Sequence, residues 1–172
     1  MTDMAGKSLG GGFLLRPYSK SDEYWVASAH IAHYRSVERF DPSFDDAVWH
    51  ALSDIDSRLE NDRTFGFILL NAGKARCGSV FACDTGVAAR IRLFLLDRRL
   101  HGQGLGRAML SAVLGAIGEA GFSRIEVSTF DAHASACRLY SAAGFIEQAR
   151  TPTTTFGRRM AQVDFAFEFA AL

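Results

Sequence analysis

The sequence predicts an α/β (α+β) fold, a mixed sheet with helices packed on it, from three observations. Three apolar runs, residues 64–70, 76–83 and 87–96, follow one another with the turn signals "NAGK" and "DTG" between them, which makes them antiparallel neighbours. Residues 104–119 carry apolar side chains on nearly every side, as a deeply packed helix does. Val163, Phe165, Phe167 and Phe169 alternate with other residues, the period of a strand with one buried face.

The remaining elements fall into order around these. Residues 13–17 make a short first strand. Ser21 is placed to cap a helix that buries Trp25, Ala29 and Ala32. A second helix fits residues 44–59, after the turn signal Asp41-Pro42-Ser43. Past the long helix, which Gly121 ends, residues 124–129 read as a strand and 134–143 as a helix stopped by Gly144. Residues 145–149 and 162–169 complete the sheet, giving the order β-α-α-β-β-β-α-β-α-β-β. The last strand, rich in phenylalanine, would invite pairing between copies if exposed, and so a homodimer.

A chain of 172 residues fits a single domain, 13–172, with 1–12 as a flexible polar, glycine-rich tail lacking the apolar core of a signal peptide. Nineteen basic and nineteen acidic side chains balance. No nucleic-acid partner and no membrane attraction is implied, and no apolar run approaches transmembrane length. The acids concentrate between Asp41 and Asp62, seven against Arg58 alone, which suits a solvated helix face. Cys77, Cys83 and Cys137 lack metal-ligand spacing. They read as reduced small hydrophobes, hence a cytoplasmic protein and no metal.

The stretch "DRRLHGQGLGRAML", residues 97–110, holds the chemistry. A glycine loop between a strand and a helix offers unpaired backbone N–H groups, and the helix dipole adds roughly half a positive charge there. Arg98, Arg99 or Arg107 could add charge-assisted bonds to a phosphate. Gly106 is followed by Arg107-Ala108 rather than Lys-Ser/Thr, which disfavours a P-loop. The preceding antiparallel meander disfavours a dinucleotide-binding βαβ unit. A tight packing turn is the plainer alternative.

The loop His101-Gly102-Gln103-Gly104-Leu105-Gly106 and the segment "HASACRLYSAAGF", 133–145, together resemble the GNAT superfamily of acyl-CoA-dependent N-acyltransferases. That family's loop reads Arg/Gln-x-x-Gly-x-Gly/Ala. Its later segment reads Asn-x-x-Ala-x-x-Leu-Tyr-x-x-x-Gly-Phe, matched by Ala136, Leu139, Tyr140, Gly144 and Phe145. The chain is also similar to the acetyltransferase half of MarR-GNAT fusion proteins, without the DNA-binding half. The resemblance implies a GNAT-type mixed, mostly antiparallel six- to seven-stranded sheet flanked by about four helices. It implies an acetyl-CoA-dependent N-acetyltransferase acting on a primary amine of a small molecule. A protein or peptide acetyltransferase and a non-catalytic acetyl-CoA sensor are the alternatives.

Residue by residue, the resemblance places the pyrophosphate of acetyl-CoA on the amides of Gly102, Gln103, Gly104, Leu105, Gly106 and Arg107. The pantetheine arm would pair with the backbone of Phe94, Leu95 and Leu96 where the sheet splays. Tyr140 matches the family's general acid. Two positions depart from the pattern: His101 stands for the usual Arg or Gln, and His133 for the Asn that contacts the cofactor. Glu126, one side-chain step from the family's strand glutamate at Ser128, is a candidate base or an exposed strand residue. His30, His33 and Tyr34 lie on the first helix, a region the family uses for substrate, or are surface residues. Arg92, expected to share a face with Phe94 and Leu96, would clamp a substrate carboxylate or make an ion pair.

Overall fold

The computed structural model describes residues 6–170. Its strands are β1 (Lys7–Gly10), β2 (Phe13–Pro17), β3 (Phe65–Leu70), β4 (Arg76–Asp84), β5 (Ala89–Leu96), β6 (Arg124–Phe130), β7 (Ile146–Thr153) and β8 (Met160–Glu168). Its helices are α1 (Glu23–His33), α2 (Ser43–Asp56), α3 (Leu105–Glu119) and α4 (Ala134–Ala142), with a π-helical turn over Tyr34–Glu38. All eight strands form one sheet in the order β1-β2-β3-β4-β5-β6-β8-β7. Neighbours are antiparallel throughout except β5 and β6, which run parallel. No helix among the described residues is long and apolar enough to cross a membrane.

Each face of the sheet buries its own core. Met109, Leu110, Val113 and Ile117 of α3 pack with Leu69, Ile91, Ile125, Val127 and Phe165 on one face. Val26 and Ala27 of α1, with Phe44, Val48, Leu52 and Ile55 of α2, cover Ile68, Phe81 and Cys83 on the other. Cys77 and Cys83 are buried and all three cysteines are unpaired.

Three expectations change. The tail foreseen over residues 1–12 is strand from Lys7 onward, where β1 pairs with β2. Gly10, Gly11 and Gly12 all take positive φ and turn the chain back on itself, which raises the strand count to eight; residues 1–5 lie outside the described residues. The last strand is no exposed edge. β8 inserts between β6 and β7, burying Val163 and Phe165, so the homodimer argued from its exposure loses its basis. Ser21 does not cap α1. The Ser19 N–H instead donates to Asp22 Oδ2 at 3.0 Å, and Asp22, fully buried, also receives Arg16 and Arg76.

Candidate active site

The parallel pair β5–β6 is joined only at Ala89–Ile91 against Ile125–Val127. Beyond that the strands part. β5 carries a bulge at the same place: its register with β4 jumps from Phe81–Arg92 to Ser79–Leu95, and Leu93 takes φ 45°. One extra residue reverses side-chain parity. Phe94 and Leu96 therefore pack on the α3 side with Ile91, while Leu93 packs toward α1 and α2. Arg92 does not share their face; it bonds Asp54 of α2. Of the two roles expected of Arg92, carboxylate clamp or ion pair, the structure holds the ion pair.

Between the parted strands runs a cleft of about 900 Å³. One end is the glycine loop. Gly102 and Gly104 have φ of 76° and 79°, conformations that L side chains rarely adopt. The first backbone bond of the helix is Ala108 N–H to the Gly104 carbonyl at 3.0 Å, and the amides of residues 102–107 donate to no acceptor among the described residues. Free N–H groups at the tip of a fifteen-residue helix are the donors that anions seek. Arg98, Arg107 and Arg138 also line the cleft. Gln103 and Leu105 contribute their amides alone: Gln103 bonds the Arg99 carbonyl, and the Leu105 side chain is buried. His101 Nε2 donates to the Leu96 carbonyl at 2.9 Å.

The middle of the cleft is walled by Phe94, Leu95, Leu96, Leu139 and Tyr140. Tyr140 is 4% exposed, its ring 5.5 Å from Phe145 and 5.9 Å from Phe165. Burial, with Tyr34 nearby, pushes its phenol well above the ordinary value of 10. The far end holds His33, Tyr34, Val37, Glu38 and His133. His133 stands just before α4, its ring 5.0 Å from that of Tyr34. Burial raises the Tyr34 phenol to about 12.

Three sequence candidates lie elsewhere. Ile125 and Val127 face the core, so strand alternation turns Glu126 and Ser128 to the opposite face. There Glu126 bonds Arg124 at 2.9 Å, and Ser128 accepts from Arg90 at 2.6 Å. Neither lines the cleft, which removes Glu126 as its base and Ser128 as a substrate contact. His30 is buried within α1, its Nδ1 2.8 Å from the Val26 carbonyl oxygen, and it does not reach the cleft.

Burial lowers the His30 imidazole to about 4. Unfolding returns it to about 6.5, so between those values the unfolded chain binds a proton that the folded chain refuses. Stability should fall as pH drops through that window, by on the order of 3 kcal/mol, and level off below it. Urea unfolding of the wild type and His30→Gln from pH 4 to 8 checks this, and the variant should lose the His30 share of that slope while the shares of His33 and His133, also lowered by burial, stay.

Glu38 escaped the sequence reading. It ends the π-helical turn after α1, where a register change breaks the helix spacing, and its partner Arg158 is 120 residues away. Helix irregularities of this kind are common at functional sites.

A model of the acetyltransferase (GNAT) family matches residues 22–145. The chain belongs to the GNAT family. It is, with that family, an N-acetyltransferase. Solved structures share the GNAT fold at low identity. The ribosomal-protein-S5-alanine acetyltransferase from Vibrio fischeri has a TM-score of 0.74 at 13% identity, covering 95% of this chain and 96% of that one. A Salmonella typhimurium structure solved with its cofactor acetyl-CoA has 0.74 at 16%, covering 91% and 94%. Spermidine N-acetyltransferase from Vibrio cholerae, in complex with CoA and spermine, has 0.70 at 16%, covering 92% and 96%.

Proposed function

We propose that this GNAT protein moves the acetyl group of acetyl-CoA to a primary amine of a small molecule by direct attack on the thioester. The observation that carries the reading is the single cleft that joins the undonated amides of residues 102–107 to Tyr140. Those amides, beside Arg98, Arg107 and Arg138, fit a diphosphate. The edge of β5 at Phe94, Leu95 and Leu96, past the last β6 pair, can take an extended pantetheine arm as an added strand, with the Leu96 carbonyl already bonded to His101.

The reaction needs a neutral amine, and alkyl amines titrate near 10.4, so under one in a thousand is neutral at pH 7. As the new N–C bond forms the nitrogen gives up a proton to solvent water in the open cleft, and as the C–S bond breaks the departing thiolate takes one up. Tyr140 lines the cleft where it can supply one. Burial that raises its phenol also raises a thiol held beside it, so the gap between donor and acceptor does not widen with desolvation.

A small acceptor is favoured because the far end is latched. Arg158, in the loop between β7 and β8, donates to the Glu38 carboxylate at 2.6 Å and to the Glu38 carbonyl at 3.0 Å. Asp41 N–H donates to the Phe156 carbonyl at 3.0 Å. A peptide would need an open groove between these two segments. Thiol release from acetyl-CoA should therefore be seen with small amines and not with peptide N-termini. Activity confined to peptides would overturn the reading.

A further inference from the structure

The cleft is electrically one-sided. Arg98, Arg107 and Arg138 line it, and among the lining residues Glu38 is the single carboxylate. Its side chain is 12% exposed. Oε2 is taken by Arg158. Oε1 has no hydrogen bond among the described residues; the closest cationic candidate is His133 Nε2 at 3.5 Å, too far for one. His133 Nε2 is itself buried and without a partner. With the ring proton on Nδ1, toward Thr129 Oγ1, Nε2 is an acceptor, and an ammonium that donates to it and to Oε1 satisfies both.

We propose that Glu38 is the acceptor-recognition residue, binding the substrate amine as its ammonium, which releases one proton to solvent water through the open cleft before nitrogen attacks, and that Arg158 is the positioning residue for its carboxylate. This rests on the acetyl-transfer reading and adds the charge state and class of the acceptor to it. Tyr34 lies beside the site, its ring 5.0 Å from that of His133. Arg158, which touches Glu38, is already paired with it. A carboxylate adjacent to the amine would meet Glu38 with like charge. The acceptors are therefore primary amines without such a carboxylate, rather than amino acids.

His133 gives Glu38 a proton-linked competitor. Burial holds the imidazole below its ordinary value, against the pull of Glu38, so the ring is neutral at pH 7 and leaves Oε1 open. The charged groups facing it are His33 from α1, Glu38 from the π-helical turn, Arg158 from the β7–β8 loop and Asp131 from the β6–α4 loop. As pH falls, an imidazolium at His133 pairs with Oε1 and displaces the amine.

The test pairs primary monoamines, 2-phenylethylamine among them, with the matching amino acids such as phenylalanine. Binding to the CoA-saturated protein is measured by calorimetry and turnover by thiol release. The wild type should favour each amine over its amino acid at least tenfold. Glu38→Gln, which keeps the shape, should raise the amine KM and Kd tenfold or more, with kcat less affected and CoA affinity unchanged. Glu38→Asp should recover part of the loss, which a folding defect would not. His133→Asn should abolish the rise of amine KM at acid pH. Unchanged amine affinity in Glu38→Gln, or amino acids bound as well as amines, overturns the proposal. Amine binding that depends on Glu38 without any turnover overturns the acetyl-transfer reading and leaves the recognition site standing.

Discussion

Turnover by the Tyr140→Phe variant should fall about 10²-fold or more while affinity for coenzyme A stays at the wild-type value. The substitution removes one oxygen from a residue packed among Phe94, Phe145 and Phe165, so the ring keeps its contacts and the helix its place. The amides of residues 102–107 are untouched. On the acid role proposed for Tyr140, what goes is the proton for the leaving sulfur. Steady-state kinetics with an active amine, alongside calorimetry with CoA, separates the two effects. An unchanged kcat would remove Tyr140 from the acid role. A raised CoA Kd at normal kcat would make it a packing residue of the cleft wall.

The second large effect is on stability. Asp22→Ala should destabilise the fold by about 3–5 kcal/mol, the cost of breaking a buried ion pair from one side. Asp22 is fully buried and ties three elements together. Its carboxylate takes Arg16 through two bonds, at 2.7 and 2.8 Å, Arg76 at 2.7 Å, and the Ser19 N–H that opens the turn into α1. Alanine leaves two guanidiniums facing each other without their counter-ion. Desolvation alone would raise this carboxyl, yet the two arginines hold it well below the usual carboxylate range. The stability it contributes is therefore full above the unfolded value near 3.9 and is lost as pH falls below it. Chemical unfolding at pH 7 and across the acid range measures both. A variant within 1 kcal/mol of wild type at pH 7 would show that the arginines find water as good a partner.

The local features of the fold were legible in the sequence and the non-local ones were not. The glycine loop and the Ala136-Leu139-Tyr140-Gly144-Phe145 spacing sit within single elements, so their placement follows from the chain itself. Arg92 was misplaced by one residue of bulge: strand alternation assumes an unbroken ladder, and Leu93 breaks it. Glu126 and Ser128 were correctly placed on one strand face together, but which face holds the cleft depends on where α3 and α4 pack. The position of β8 inside the sheet depends on the return of the β7–β8 hairpin, which no strand pattern encodes. Glu38 and Arg158 meet across the fold, and neither carries a local signal.

The outer strand β7 bears on how the protein behaves when concentrated. Seven of its eight residues are exposed, and an open ladder of that length is a template for sheet-to-sheet growth. It is interrupted twice, by the irregularity between Glu147 and Ala149 and by Pro152, which offers no N–H. Glu147 and Arg150 pair on the same rim, adding charge that a neighbouring strand would have to strip of water. Molecules colliding rim to rim therefore find no continuous row of donors and acceptors, and the sheet ends in solvent instead of seeding fibres.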